Sequence, residues 1–117
     1  MKLSFKEQHD FEQRCADSTK IKKKYPNRIP VVVERHRNSQ VADIDKHKFL
    51  VPNDLTVAQF LWIIRKRISV SEDKALFLFV GNTVPQSSST IGQLYADCCD
   101  ADGFLYTQYS SENSFGE

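Results

Sequence analysis

The chain has 117 residues, 40% of them hydrophobic and 26% charged, with a formal net charge of +1. That length supports one domain with a modest core that needs no metal or disulfide staple, and no window approaches the roughly 18 continuous apolar residues of a membrane-spanning helix. Residues 1–30 carry eight Lys/Arg against four Asp/Glu, residues 31–68 carry seven against four, and residues 69–117 carry one (Lys74) against seven. So dipolar a surface suits an adaptor that meets an acidic partner at one end, and argues against a nonspecific nucleic-acid binder.

In chain order, a short helix is predicted over residues 3–9. Phe11, Cys15, Ser18, Ile21 and Tyr25 then recur at helical spacing, and Tyr25-Pro26 ends that pattern. The β-branched run Ile29–Val33, with Pro30 near its start, reads as the first strand. Arg35–Asp45 is polar loop, and Lys48–Pro52 is a short second strand that suits an edge. Thr56 and Gln59 have capping-box spacing, so hydroxyl and amide satisfy each other's orphan N–H groups at a helix start. Val57, Phe60, Leu61, Ile64 and Ile68 follow on one face. Ala75–Val80 is a nearly continuous apolar strand, long enough to lie centrally with both faces covered. A second capping box, Thr90 to Gln93, opens a short helix through Ile91, Leu94, Tyr95 and Cys98. Asp102-Gly103 turns into a last strand, Phe104–Tyr109.

After two leading helices the order is β-β-α-β-α-β. This predicts an α+β, ubiquitin-like β-grasp with a four-stranded mixed sheet wrapped around one long helix. A split ferredoxin-like sandwich is the rival, but its second crossover needs a longer helix than residues 90–98 offer. The expected division is an N-terminal helical extension (1–26) packed on a core (27–110), with a flexible tail (111–117).

Catalytic chemistry finds little support. His9, His36 and His47 show no zinc spacing with Cys15, Cys98 or Cys99, so no metal is expected. A Cys/His nucleophile pair stays open on sequence alone, but so small a fold leaves little room for a cleft. Neither an even cysteine framework nor a secretory signal in Met1–Lys6 is present, which points to a reducing cytosol. The basic run Lys20-Ile21-Lys22-Lys23-Lys24 admits three readings: a solvated helix face, a contact for tubulin or anionic lipid, and a nucleic-acid site. The last lacks interleaved aromatic residues. Gly116 stands one residue from the end. Either it is a frayed terminus, or it is an arm slim enough to enter an enzyme channel closed to any side chain.

Specific blocks then resemble a known family. They are Lys23–Glu34 (KKYPNRIPVVVE), Asp45–Pro52 (DKHKFLVP), Asp54–Phe60, Ile64–Ile68, Gly103–Tyr106 and Ser111–Gly116. The chain resembles the autophagy-related, GABARAP-like family of ubiquitin-like modifiers over essentially its whole length. That resemblance implies a cysteine protease cutting the Gly116–Glu117 bond, and activating and conjugating enzymes joining Gly116 to phosphatidylethanolamine. The chain would then be a substrate of catalysis with no cofactor. It would be cytoplasmic until lipidated and on autophagosome membranes afterwards.

The resemblance further implies a groove for aromatic-x-x-aliphatic peptides carried by autophagy receptors and adaptors, which add a strand at Lys48–Pro52. Its aromatic pocket maps to Asp17, Ile21, Pro30, Lys48, Leu50 and Phe104. Its aliphatic pocket maps to Phe49, Val51, Pro52, Leu55, Phe60, Ile63 and Arg67, with Arg28 and Lys46 completing a basic rim. Helical spacing places Phe60, Ile63 and Arg67 on one stripe, distinct from a core stripe through Leu61 and Ile64. Strand alternation sends Phe49 and Leu50 to opposite faces, which argues that one of them serves outside a single core. Cys15 and the Cys98-Cys99 pair depart from the family pattern, the latter inviting surface oxidation. The other reading is an unconjugated ubiquitin-like adaptor linking trafficking or receptor proteins to microtubules through the same groove.

Overall fold

Pro30 has no backbone N–H, and this one missing donor sets how the first two strands meet. In the computed structural model, which describes residues 3–112, β1 (Arg28–Arg35) pairs antiparallel with β2 (Lys48–Pro52), and Pro30 lies opposite Leu50. An opposed pair that exchanges two hydrogen bonds needs an N–H on each residue. Pro30 and Leu50 are therefore a non-hydrogen-bonded pair, and the N–H and C=O of Leu50 point away from β1.

Around these strands stand α1 (Phe5–Gln8), α2 (Phe11–Lys24), α3 (Val57–Arg67), β3 (Phe77–Phe79), α4 (Ile91–Cys98) and β4 (Leu105–Ser110). The sheet order is β2-β1-β4-β3, with β1 and β4 parallel at the centre and antiparallel pairs outside. This is the four-stranded mixed sheet of the ubiquitin-like fold, preceded by two helices.

The apolar run around β3 does not form the expected central strand. Only Phe77–Phe79 pair, and they pair with β4 alone, so β3 is an edge. The run is apolar because Leu76 and Leu78 enter the core while Phe79 is covered on the other side, its ring 6.5 Å from that of His36. An edge strand covered on both faces has the same composition as a central one. Val80 then turns back onto Thr83 and ends the ladder.

Two apolar clusters flank the sheet. The larger gathers Val31, Val33, Phe49, Val51, Val57, Phe60, Ile64, Ile68, Leu78, Leu105 and Tyr109 beneath α3. The smaller holds Ile21, Val32 and Phe104, with Phe5, Leu50 and Tyr106 packed on it beneath α1 and α2. Strand alternation therefore does send Phe49 and Leu50 to opposite faces, but each face has its own apolar cluster. Their opposition follows from a sheet covered on both sides and does not by itself mark a binding residue.

Among the described residues, each of these helices starts with a complete capping box: Ser4 with Glu7, Asp10 with Gln13, Thr56 with Gln59 and Thr90 with Gln93. Each closes two of the orphan N–H groups at a helix start.

Candidate functional site

The free edge of β2 is the centre of the site, because its outward backbone groups are open to a further strand. One of them is already engaged within the chain. Arg28 Nη1 donates to the Leu50 carbonyl at 3.2 Å, which places that oxygen on the outside of the sheet.

On one side of this edge the six residues expected for an aromatic pocket come together. Ile21 and Phe104 are buried in the smaller cluster, with half-buried Leu50 against them and buried Pro30 across the ladder. Lys48 Nζ reaches Asp17 Oδ2 at 2.8 Å, so a residue of β2 and a residue of α2 meet beside this cluster. Both groups are substantially exposed, and the pair contributes orientation more than stability.

On the other side Phe49 and Val51 belong to the core, and Phe49 meets Phe60 edge-on with centroids 5.8 Å apart. Leu55 packs against the same cluster. Lys46 Nζ lies 5.1 Å and Arg67 Cζ 5.7 Å from the Phe49 ring centroid, so two cations cover its face. Arg67 Nε donates to Asp45 Oδ1 at 2.9 Å. Ile63 is 40% exposed, and Pro52 closes the strand as an exposed residue opposite Arg28.

The stripe Phe60–Ile63–Arg67 needs correction. Phe60 is fully buried beside Ile64, with Val57 and Ile68 on the same inward face. It lies three or four residues from Val57 and Ile64, a spacing that stacks side chains on one helix face. Only Ile63 and Arg67 reach the surface, so Phe60 supplies floor and not wall.

Sequence patterns do not announce several residues of the site. Val32, Tyr106 and Phe5 belong to the Ile21–Phe104 cluster, and Asp45 fixes Arg67. Tyr106 is within reach of strand periodicity, being two residues from Phe104 on one face. Asp45 gives no local signal.

Asp102 holds the α2 wall in place. Its side chain is fully buried; it accepts from Arg14 Nη1 at 2.9 Å, from the Tyr106 hydroxyl at 2.5 Å and from the Phe104 N–H at 2.9 Å. Ser18 Oγ donates to the Asp102 carbonyl at 2.5 Å. Burial, then the hydrogen bond to Asp102, pushes the Tyr106 hydroxyl pKa well above its ordinary value, so it stays a donor. Beside it Lys6 Nζ pairs with Asp100 at 2.8 Å. Burial raises the Asp100 pKa, but the Lys6 hydrogen bond and the Asp102 N–H outweigh it and leave the carboxyl below its usual value.

Two cavities lie away from the edge. One, about 270 Å³, is lined among others by Leu61, Trp62, Leu76 and Val84; the other, about 710 Å³, by Glu34, Arg35, His36 and His47. Among the described residues no cluster of three or more His, Cys, Asp or Glu could hold a metal, and no helix is long and apolar enough to cross a membrane. Gly116 and Glu117, the expected attachment and cleavage residues, lie outside the described residues.

A β-grasp sheet with two added helices and a free edge between two apolar clusters defines a ubiquitin-like protein. Residues 13–116 match the family described as "Autophagy protein Atg8 ubiquitin like", and the chain belongs to that family. Its fold is similar to that of the "Crystal Structure of Trypanosoma brucei ATG8", with a TM-score of 0.90 and 40% identity over 99% of this chain and 100% of that one.

Proposed function

We propose that this protein is a conjugated modifier of autophagy that also reads short peptides, and is not itself an enzyme. On this reading a cysteine protease removes Glu117, and the Gly116 carboxylate passes through enzyme thioesters to the amine of phosphatidylethanolamine. The carboxylate is first activated by a nucleoside triphosphate as an acyl adenylate with loss of pyrophosphate, the first enzyme thiol displaces the nucleotide monophosphate, and each later transfer releases the preceding thiol. A single acyl chain anchors a protein only marginally, whereas the two chains of this lipid hold it stably. Anchored on autophagosome membranes, the domain recruits receptors and adaptors carrying aromatic-x-x-aliphatic motifs.

Besides membership of the family, the observation that carries the peptide reading is the outward backbone of Leu50, set between two apolar clusters and ringed by Arg28, Lys46, Lys48 and Arg67. A peptide adding to β2 gains main-chain hydrogen bonds from that edge, and its alternate side chains reach the two clusters. Acidic residues flanking its aromatic gain encounter rate from the basic rim.

The test has two arms. Titration of a fluorescent aromatic-x-x-aliphatic peptide should show Leu50→Ala weakening binding about tenfold or more, as truncation at a central anchor does. Unchanged affinity would overturn the groove. In cell lysate the intact mass should fall by one glutamate residue, and Gly116→Ala should abolish membrane pelleting. A full-length chain that stays soluble on starvation while Leu50→Ala still loses partners would leave the unconjugated adaptor.

A further inference from the structure

We propose that Cys98 and Cys99 form a redox-sensitive dithiol whose oxidation by a low-molecular-weight disulfide loosens the docking of α1 and α2. Both thiols are free and exposed. Cys98 is the last residue of α4, and Cys99 caps it in an extended conformation (φ −63, ψ 145). Consecutive side chains on a helix do not face each other, and their Cα atoms, about 3.8 Å apart across a trans peptide, lie closer than the roughly 4.4–6.8 Å usual for a disulfide. Turning the two sulfurs toward each other therefore requires the peptide plane between them to rotate, and the short Cα separation, which that rotation leaves unchanged, keeps the bond strained. That same peptide carries the Cys99 N–H, which donates to the Tyr95 carbonyl at 3.1 Å. Oxidation thus competes directly with the last hydrogen bond of α4.

The segment immediately after Cys99 is the dock for the N-terminal helices. Asp100 N–H donates to the Phe104 carbonyl at 2.8 Å and Gly103 N–H to the Asp100 carbonyl at 2.9 Å, folding residues 100–104 into a tight turn. The Tyr95 hydroxyl donates to the Gly103 carbonyl at 2.8 Å, tying that turn back to α4. Asp100 holds Lys6 of α1, and Asp102 holds Arg14 and Ser18 of α2. A rotation at Cys99 enters this turn at its first residue.

The chemistry balances with a disulfide such as oxidised glutathione. One cysteine thiolate attacks it, forming a mixed disulfide and releasing one thiol. The neighbouring thiolate attacks the protein-bound sulfur and releases the second thiol. Two protein thiols are oxidised and one small disulfide is reduced to two thiols. Strained, exposed disulfides are the easily reduced ones, so the bond is reversible. Cys15, half-buried on α2 with no thiol beside it in sequence, lacks this adjacent resolving group.

The test treats the full-length protein with oxidised glutathione and follows peptide mass and amide hydrogen exchange. The expected product has lost two hydrogens, maps to the Cys98–Cys99 peptide and is restored by dithiothreitol. In that product exchange rises about tenfold across residues 5–24 and 95–104, as for local opening of a docked segment, and is unchanged in β1. Cys98→Ser and Cys99→Ser each abolish the response, and Cys15→Ser does not. A mixed disulfide or intermolecular dimer as sole product overturns the dithiol. An intramolecular bond that leaves exchange at 5–24 unchanged overturns the coupling.

Discussion

At the scale of single residues, Asp102 stands out because three donors converge on one fully buried carboxylate. Asp102→Ala strands the Tyr106 hydroxyl and the buried Phe104 N–H and removes the carboxylate partner of Arg14, whose Nε keeps its bond to the His9 carbonyl. Unsatisfied groups of this kind should together lower stability by about 3 kcal/mol in urea unfolding; a loss below half of that would mean water replaces the carboxylate. Its neighbour Gly103 adopts φ +91, and a Cβ there would sit 2.4 Å from Ser18 Oγ. Gly103→Ala should therefore destabilise through both backbone strain and collision. Ser18→Gly in the same chain removes the collision and leaves the strain, so the double variant should be more stable than the sum of the singles by about 1 kcal/mol. Strict additivity in thermal melts would show that α2 simply shifts aside. None of this is legible in the sequence. Asp102-Gly103 reads there as a turn; Phe104 and Tyr106 are near it in the chain, but the α2 partners Ser18 and Arg14 that make it a hub between elements lie 84 and 88 positions away.

At the scale of elements, local chemistry explains what can be read. Thr56 and Gln59 stand just before an apolar stripe, so their box is visible, and the same holds for Thr90 and Gln93. Ser4–Glu7 and Asp10–Gln13 have identical spacing but announce themselves less, since α1 is only four residues long and buries none of them, and α2 buries only Ser18 and Ile21, well past its first turn. Removing the α3 hydroxyl with Thr56→Ala exposes the Gln59 N–H and should cost about 1 kcal/mol in a denaturant melt. An unchanged midpoint would mean that the Thr56–Thr90 bridge and packing hold that start without the box. The strand around Phe77 marks where local reading ends. Composition reports how much of a strand is covered, whereas its place in the sheet is decided by pairing with Gln108–Ser110, far along the chain. The site divides the same way. Lys48–Pro52 declares an edge through its length and its proline. Phe60, by contrast, reads both as part of the apolar face with Val57, Ile64 and Ile68, which the structure bears out, and as part of a surface stripe with Ile63 and Arg67, because helical spacing alone does not say which neighbouring stripe faces inward.

At the scale of the whole molecule, the parallel pairing of β1 with β4 fixes where things happen. β4 runs alongside β1 from Val31 to Arg35, so the chain leaves the sheet at Ser110, beside the Arg35 end. Pro52 and Leu55 lie at the Arg28 end, roughly 20 Å away at strand rise. If the proposed conjugation and peptide reading are both right, saturating the groove with peptide should leave the rate of Glu117 removal unchanged in a purified protease assay. A marked slowing would mean that the two events share a surface. The geometry of a strand pair thus becomes a matter of orientation: were the body fastened by its final segment, as proposed, the Pro52 end of its reading edge would lie far from the mooring and turned toward the surroundings.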